Sequence, residues 1–264
     1  MAFVQLQDGQ LHYQVDGLAG SPVFVLSNSL GTALPMWDAQ MAALTRHFQV
    51  VRYDTRGHGQ SLVTPGPYTL EQLGQDVLAL LDHLNIKQAH FCGLSMGGLI
   101  GQWLGIHAND RLHKLIVCNT AARLGGPEMW NPRIESIEKG GEQVMATLVP
   151  GAVTRWFTPE FARDHADRVK PLTDMLASTS PQGYVACCAA LRDADLRDQV
   201  SSITVPTLII CASHDEVTTV ADGHYLQNHI KGSELSDYYA SHLSSVELGD
   251  TFSLRITEFL LNPS

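Results

Sequence analysis

Short β-rich runs alternate with helical patterns along this chain, and that alternation confines it to a mostly parallel sheet covered by helices on both faces. Residues 22–26, 48–53, 89–92, 112–118 and 207–211 read as the buried strands of that sheet. Between them, Leu73, Val77, Leu80, Leu81 and Leu84 recur at helical spacing behind Thr69, a residue suited to capping. With 264 residues, 44% of them hydrophobic, the chain has enough apolar side chains for a sizeable core.

The rhythm changes from residue 123 to 195. No run there resembles a central strand, and amphipathic pieces are separated by Pro127, Pro132, Pro150, Pro159, Pro171 and Pro181. The stretch 203–206 then leads back into a strand. The expectation is therefore one α/β core made of 1–122 and 196–264, interrupted by a helical cap at 123–195.

Gly93-Leu94-Ser95-Met96-Gly97 matches G-x-S-x-G and falls between a strand pattern and the helical run 99–106. A nucleophile at a sharp strand-to-helix turn sits on strained backbone, and the flanking glycines remove side chains that would collide there. A glycine-rich packing loop is the plain alternative. A phosphate loop fits less well, because Gly97-Gly98 is not followed by Lys-Ser or Lys-Thr.

A serine hydroxyl needs a base to take its proton, and the base needs an orienting carboxylate. Asp215 follows the strand pattern 207–211 in a loop at the same sheet edge as Ser95, with Glu216 as its nearest rival. Of twelve histidines, His242 alone follows the last strand pattern, 235–240, ahead of Ser244-Ser245-Val246-Glu247, which reads as a capping box. His58, His165, His224 and His229 stay open on pattern alone. Donors for an oxyanion are expected from the amide of Met96, which follows the nucleophile, and from that of Leu30 in the loop after an early strand.

A net charge of −10 offers no basic field for nucleic acid or anionic membrane, so the expected partner is a small molecule. The first nine residues alternate like a strand running into a turn and lack the basic head and apolar run of a signal peptide. No stretch approaches the roughly 18 apolar residues of a membrane span. Five cysteines, mostly inside apolar segments, fit reduced thiols in a cytoplasm. Neither H-E-x-x-H, paired C-x-x-C nor an early G-x-G-x-x-G is present, so no metal or other cofactor is expected. Nothing in the sequence sets an oligomeric state.

With these residues assembled, the whole chain resembles the α/β-hydrolase superfamily. Tyr53-Asp54-Thr55-Arg56-Gly57-His58-Gly59-Gln60-Ser61 looks like that family's D-x-R-G-x-G-x-S turn, which is structural there. Within the superfamily the chain is most similar to the 3-oxoadipate enol-lactonases of the β-ketoadipate pathway. The narrower likeness rests on residues 26–32 with Trp37, on residues 91–98, and on Tyr184 with residues 187–191. Asn28-Ser29 stands where the superfamily commonly has His-Gly, a replacement typical of the lactonases, and Ala212 stands where glycine is usual.

The resemblance implies the triad Ser95, Asp215 and His242, and a reaction in which water opens an enol lactone to 3-oxoadipate. Other readings on the same scaffold are a general carboxylesterase, a cofactor-free perhydrolase, or a small-ligand receptor that kept the fold. An acidic lactone also needs a cation for its carboxylate, and arginine suits a buried carboxylate best. Trp130 with Arg133, Arg155 with Trp156, and Arg192 are the cap candidates. Arg133 is the first choice, on the expectation that Pro132 and Trp130 hold it in a fixed loop.

Overall fold

The computed structural model describes residues 2–141 and 143–262. Its strands are β1 (Ala2–Leu6), β2 (Gly9–Asp16), β3 (Val23–Ser27), β4 (Gln49–Tyr53), β5 (Ala89–Leu94), β6 (Leu112–Cys118), β7 (Thr207–Ala212) and β8 (Glu234–Tyr238). They form an eight-stranded sheet in the order β1-β2-β4-β3-β5-β6-β7-β8. β1 and β2 form an antiparallel hairpin, and β2 pairs antiparallel with β4. From β4 through β3 to β8 all neighbours are parallel. Every residue of β5 and of β7 is buried, as expected of strands covered on both faces.

The helices of the core are α1 (Asp38–Leu44), α2 (Leu70–His83) and α3 (Met96–His107). Thr69 caps α2 as expected, its hydroxyl accepting from the Gln72 amide at 3.1 Å. α3 begins three residues before the helical run seen in the sequence, at Met96, so its first turn abuts Ser95. The sequence pattern at the start also showed one strand where the structure has a hairpin.

Between β6 and β7 lie α4 (Pro127–Gly140), α5 (Val144–Thr147), α6 (Val149–Trp156), α7 (Pro159–Asp164), α8 (Ala166–Ser178) and α9 (Pro181–Asp193). They pack chiefly on one another, α4 with α9 and α5 and α6 with α8. The chain ends with α10 (Val220–His229), α11 (Ser244–Leu248) and α12 (Asp250–Leu261). No helix among the described residues is long and apolar enough to cross a membrane.

The register places the site. Ser27 lies opposite Gly93, Leu94 opposite Cys118, Cys118 opposite Ile210, and Ala212 opposite Tyr238. The carboxyl ends of β3, β5, β6, β7 and β8 therefore share one edge. The chain passes from β3 outward to β4, then returns to the other side of β3 to lay down β5. That reversal opens a crevice between the loops after β3 and β5, the usual ligand position in an open α/β sheet.

Candidate active site

Ser95 stands at the end of β5 with φ 58 and ψ −112, a backbone region that residues with a Cβ seldom occupy. Its amide donates to Cys118 O at 2.9 Å, and its carbonyl accepts from Thr120 Oγ1 at 2.9 Å. These bonds hold the strained turn in place. A Cβ on Gly93 would lie 1.9 Å from Gly97 O, and one on Gly97 would lie 2.4 Å from Ser27 O. Both glycines of the motif are thus required by close backbone approach.

Asp215 is buried in the loop after β7, and its Oδ2 accepts from His242 Nδ1 at 2.8 Å. Oδ2 also accepts from Thr218 Oγ1 at 2.6 Å and Asn119 Nδ2 at 3.0 Å. Oδ1 accepts from the amides of Val217 and Thr218 at 2.8 and 3.0 Å. Burial raises the carboxyl pKa, but the facing His242 and the bonds from His242, Thr218 and Asn119 outweigh it and hold the group at about 2. An ionised Asp215 fixes the proton of neutral His242 on Nδ1 and leaves Nε2 to accept another. Glu216, the rival, is exposed.

Ser95 and His242 line the same cavity. No direct hydrogen bond joins them among the described residues, a gap common in free enzymes, whose catalytic bonds tighten around substrate. Leu30 and Ser29 line that cavity as well. The loop carrying Leu30 is tied to the start of α3 by the Gly97 amide, which donates to Asn28 O at 3.1 Å. Asn28 is itself clamped: Trp37 Nε1 donates to its Oδ1 at 2.9 Å, and its Nδ2 donates to Tyr53 O at 2.8 Å. The amides of Leu30 and Met96 have no hydrogen-bond partner among the described residues, as donors reserved for an oxyanion would not.

His58 is not a second base. Its Nε2 accepts from the Gly31 amide at 2.9 Å, so it braces the Leu30 loop from behind. His165, His224 and His229 are exposed. In the rest of the Asp54–Ser61 turn, Arg56 pairs with Asp76 at 2.6 Å and Asp8 at 2.7 Å, which makes the turn a structural one.

Trp130, Arg133, Arg155, Trp156 and Tyr184 form the other wall of the Ser95 cavity. Arg133 is not in a loop, contrary to expectation: it lies in the second turn of α4, a helix that continues through Pro132. Its guanidinium sits 6.0 Å from the Trp130 ring and 5.9 Å from the Tyr184 ring. Arg155 is half-buried on α6, and burial, then the nearby Arg133, lower its pKa. Neither arginine has an ion-pair partner among the described residues. Arg192 lies elsewhere, bonded to Asp193 at 2.7 Å beside a larger hollow of about 800 Å³ that contains no triad residue.

The sequence pattern assigns no role to Asn119 or Thr218 and suggests only a helix cap for Glu247. Asn119 sits at φ 44 just after β6, a conformation asparagine tolerates better than most residues, and its strand-end place was the available signal. The 244–247 capping box does not form: Ser244 Oγ donates to Asn119 Oδ1 at 2.5 Å, and Glu247 reaches past Ser244 to the Ser241 amide at 2.7 Å.

Over residues 22–247 the chain matches the family described as alpha/beta hydrolase fold. The 3-oxoadipate enol-lactonase 2 of Acinetobacter baylyi is 48% identical over 247 residues, 94% of this chain and 91% of that protein. Among solved structures, the enol-lactonase of Burkholderia xenovorans LB400 aligns with a TM-score of 0.96 at 42% identity, over 99% of this chain and 100% of that one. A malate-bound thermophilic esterase from Thermogutta terrifontis aligns with a TM-score of 0.91 at 26% identity, over 98% and 97% of the two chains. The parallel sheet, the serine at its strand-to-helix turn and these likenesses agree: the chain belongs to the alpha/beta hydrolase fold family.

Proposed function

We propose that this protein is a serine hydrolase that opens 3-oxoadipate enol-lactone to 3-oxoadipate, with residues 123–195 acting as a cap over its site. The observation that carries the substrate class is the pair Arg133 and Arg155, unpaired among the described residues, in the cavity that holds Ser95 and His242. A chain of net charge −10 that leaves two half-buried cations facing its nucleophile has a place for an acidic ligand. The 48% identity to a 3-oxoadipate enol-lactonase supports the same reading.

In this mechanism Ser95 Oγ attacks the lactone carbonyl while His242 Nε2 takes its proton and Asp215 stabilises the resulting imidazolium. The amides of Leu30 and Met96 hold the oxyanion. Collapse breaks the ring C–O bond, and the ring oxygen leaves as an enol that takes the proton back from His242. The enol becomes a ketone, which disfavours reclosure. His242 then activates water, the acyl ester is cleaved, and Ser95 recovers its proton. Trp130 and Trp156 wall the ring, and the arginines hold its carboxylate.

The five cysteines are buried and unpaired, which supports a reducing, cytoplasmic setting. The net charge of −10 supports a small-molecule substrate rather than nucleic acid.

Turnover of the enol lactone against p-nitrophenyl acetate tests the assignment. The expected kcat/KM favours the lactone by about 10² or more, as recognition of its one carboxylate by a half-buried arginine pair allows. Equal values would make the protein a general esterase. Ser95→Ala should abolish both activities.

A further inference from the structure

The cap wall and the loop bearing His242 are joined by hydrogen bonds on both sides of the histidine. Leu243 N donates to Trp156 O at 3.0 Å, and Ser241 Oγ lies 2.9 Å from Arg155 O and 3.1 Å from His214 O. Glu247 closes the junction. Its Oε2 accepts from the Ser241 amide at 2.7 Å, while its Oε1 accepts from the Thr158 amide at 3.1 Å and from the Thr158 hydroxyl. Ser241 and Leu243 flank His242, and Thr158 lies two residues after Trp156. One carboxylate thus spans the His242 loop and the α6–α7 connection, with both oxygens used.

We infer that Glu247 is a positioning residue that locks the general base to the arginine-bearing cap segment, so that carboxylate recognition at Arg155 and proton transfer at His242 depend on one geometry. The inference rests on the assignments of His242 and Arg155 made above. Its physical basis is that only a carboxylate accepts at both ends here. The amide of a glutamine accepts through one oxygen only, so Glu247→Gln must release either the Ser241 side or the Thr158 side. The triad, the arginines and the buried core are untouched by that change. What it loosens is the distance between His242 and a substrate anchored through Arg155, and misplacement of a reacting group by about 1 Å costs on the order of 10²-fold in rate.

The test combines Glu247→Gln with Arg155→Ala, singly and together, read as kcat and KM on the enol lactone, with thermal unfolding alongside. Glu247→Gln is expected to lower kcat by about 10²-fold in a folded enzyme. The penalty of Arg155→Ala should then be several-fold smaller in the Glu247→Gln background than in the wild type, a non-additivity that a merely structural role does not produce. A Glu247→Gln kcat within twofold of the wild type, or penalties that simply multiply, overturns the inference. If Glu247→Gln fails to fold, Thr158→Val removes the hydroxyl bond to Glu247, together with the cap that hydroxyl gives the Phe161 amide at the start of α7, and should show the same non-additivity with Arg155→Ala, and strict multiplicativity there is equally fatal. Ser95→Ala separates the levels: an active Ser95→Ala brings down the triad and the clamp together, whereas an inactive one beside an unimpaired Glu247→Gln brings down the clamp alone.

Discussion

His242 Nδ1 donates to Asp215 Oδ2 at 2.8 Å, while the adjacent acid, Glu216, faces solvent. Two neighbouring carboxylates therefore have separable roles. Asp215→Asn should lower kcat by about 10⁴-fold, because an amide can donate to the imidazole and favour the wrong tautomer. Glu216→Gln should leave kcat within about twofold, as surface changes away from a site do. Steady-state kinetics on the two variants decides the assignment, and comparable losses would refute it.

The backbone of Ser95, at φ 58 and ψ −112, makes a prediction that is independent of chemistry. Ser95→Ala and Ser95→Gly both lose the hydroxyl, but only glycine is at ease in that conformation. Strain of this kind costs about 1 to 3 kcal/mol, offset in part by the roughly 0.5 to 1 kcal/mol that glycine adds to the disorder of the unfolded chain. Ser95→Gly should accordingly be more stable than Ser95→Ala by about 1 kcal/mol in urea unfolding. A less stable glycine variant would mean that the turn is not strained.

The elements legible in the sequence were those dictated by local physics. The buried strands were readable because both faces are covered, and the turn at Ser95 because so tight a strand-to-helix junction needs glycines at 93 and 97. Asp215 and His242 could be named because parallel strands bring their carboxyl ends to one edge. Arg133 was misread because Pro132 looked like a loop signal, yet the helix runs through it. Glu247 was misread because its spacing from Ser244 imitates a capping box, whereas tertiary packing gave its oxygens to Ser241 and Thr158. Long-range partners of this kind leave no periodic trace.

His58 predicts how stability depends on pH. Burial depresses its pKa to about 4, outweighing the Arg56 carbonyl and Asp54, which act the other way. The folded state keeps the ring neutral, with Nε2 accepting from Gly31 at 2.9 Å, while the unfolded chain takes up a proton near pH 6.5. The resulting stabilisation is fully present above about pH 6.5 and is lost as pH falls toward 4, by about 3 kcal/mol at most. His90, also lowered to about 4 by burial with help from His113 and Lys114, adds a similar slope. His58→Gln keeps an acceptor for Gly31 but does not titrate, so its stability should fall less steeply between pH 6.5 and 4. Urea midpoints across that range check this, and an unchanged slope would show that His58 is not held neutral.

The arginine pair carries the substrate reading, so the last prediction concerns its two members together. Both line the cavity with Ser95, and the lowered pKa of Arg155 reflects its burial first and its neighbour Arg133 second. Two like charges held close without an anion destabilise each other, and a bound carboxylate relieves that repulsion as well as forming bonds. Removing either arginine therefore has opposite effects on the free protein and on its complex. Arg133→Ala or Arg155→Ala should leave the free protein as stable as the wild type or slightly more so. Each should reduce kcat/KM for the acidic lactone by a factor corresponding to about 2 to 5 kcal/mol, as truncation of a buried charge pair does. A neutral ester of similar size makes no charge pair and should be nearly indifferent to both changes. Arg192→Ala, at a residue occupied by Asp193 and outside the cavity, should alter neither substrate. Parallel kinetics on the three variants separates these outcomes. If Arg133→Ala and Arg155→Ala depress the acidic and neutral substrates alike, the pair shapes the cavity without reading charge, and the preference for an acidic lactone must come from elsewhere.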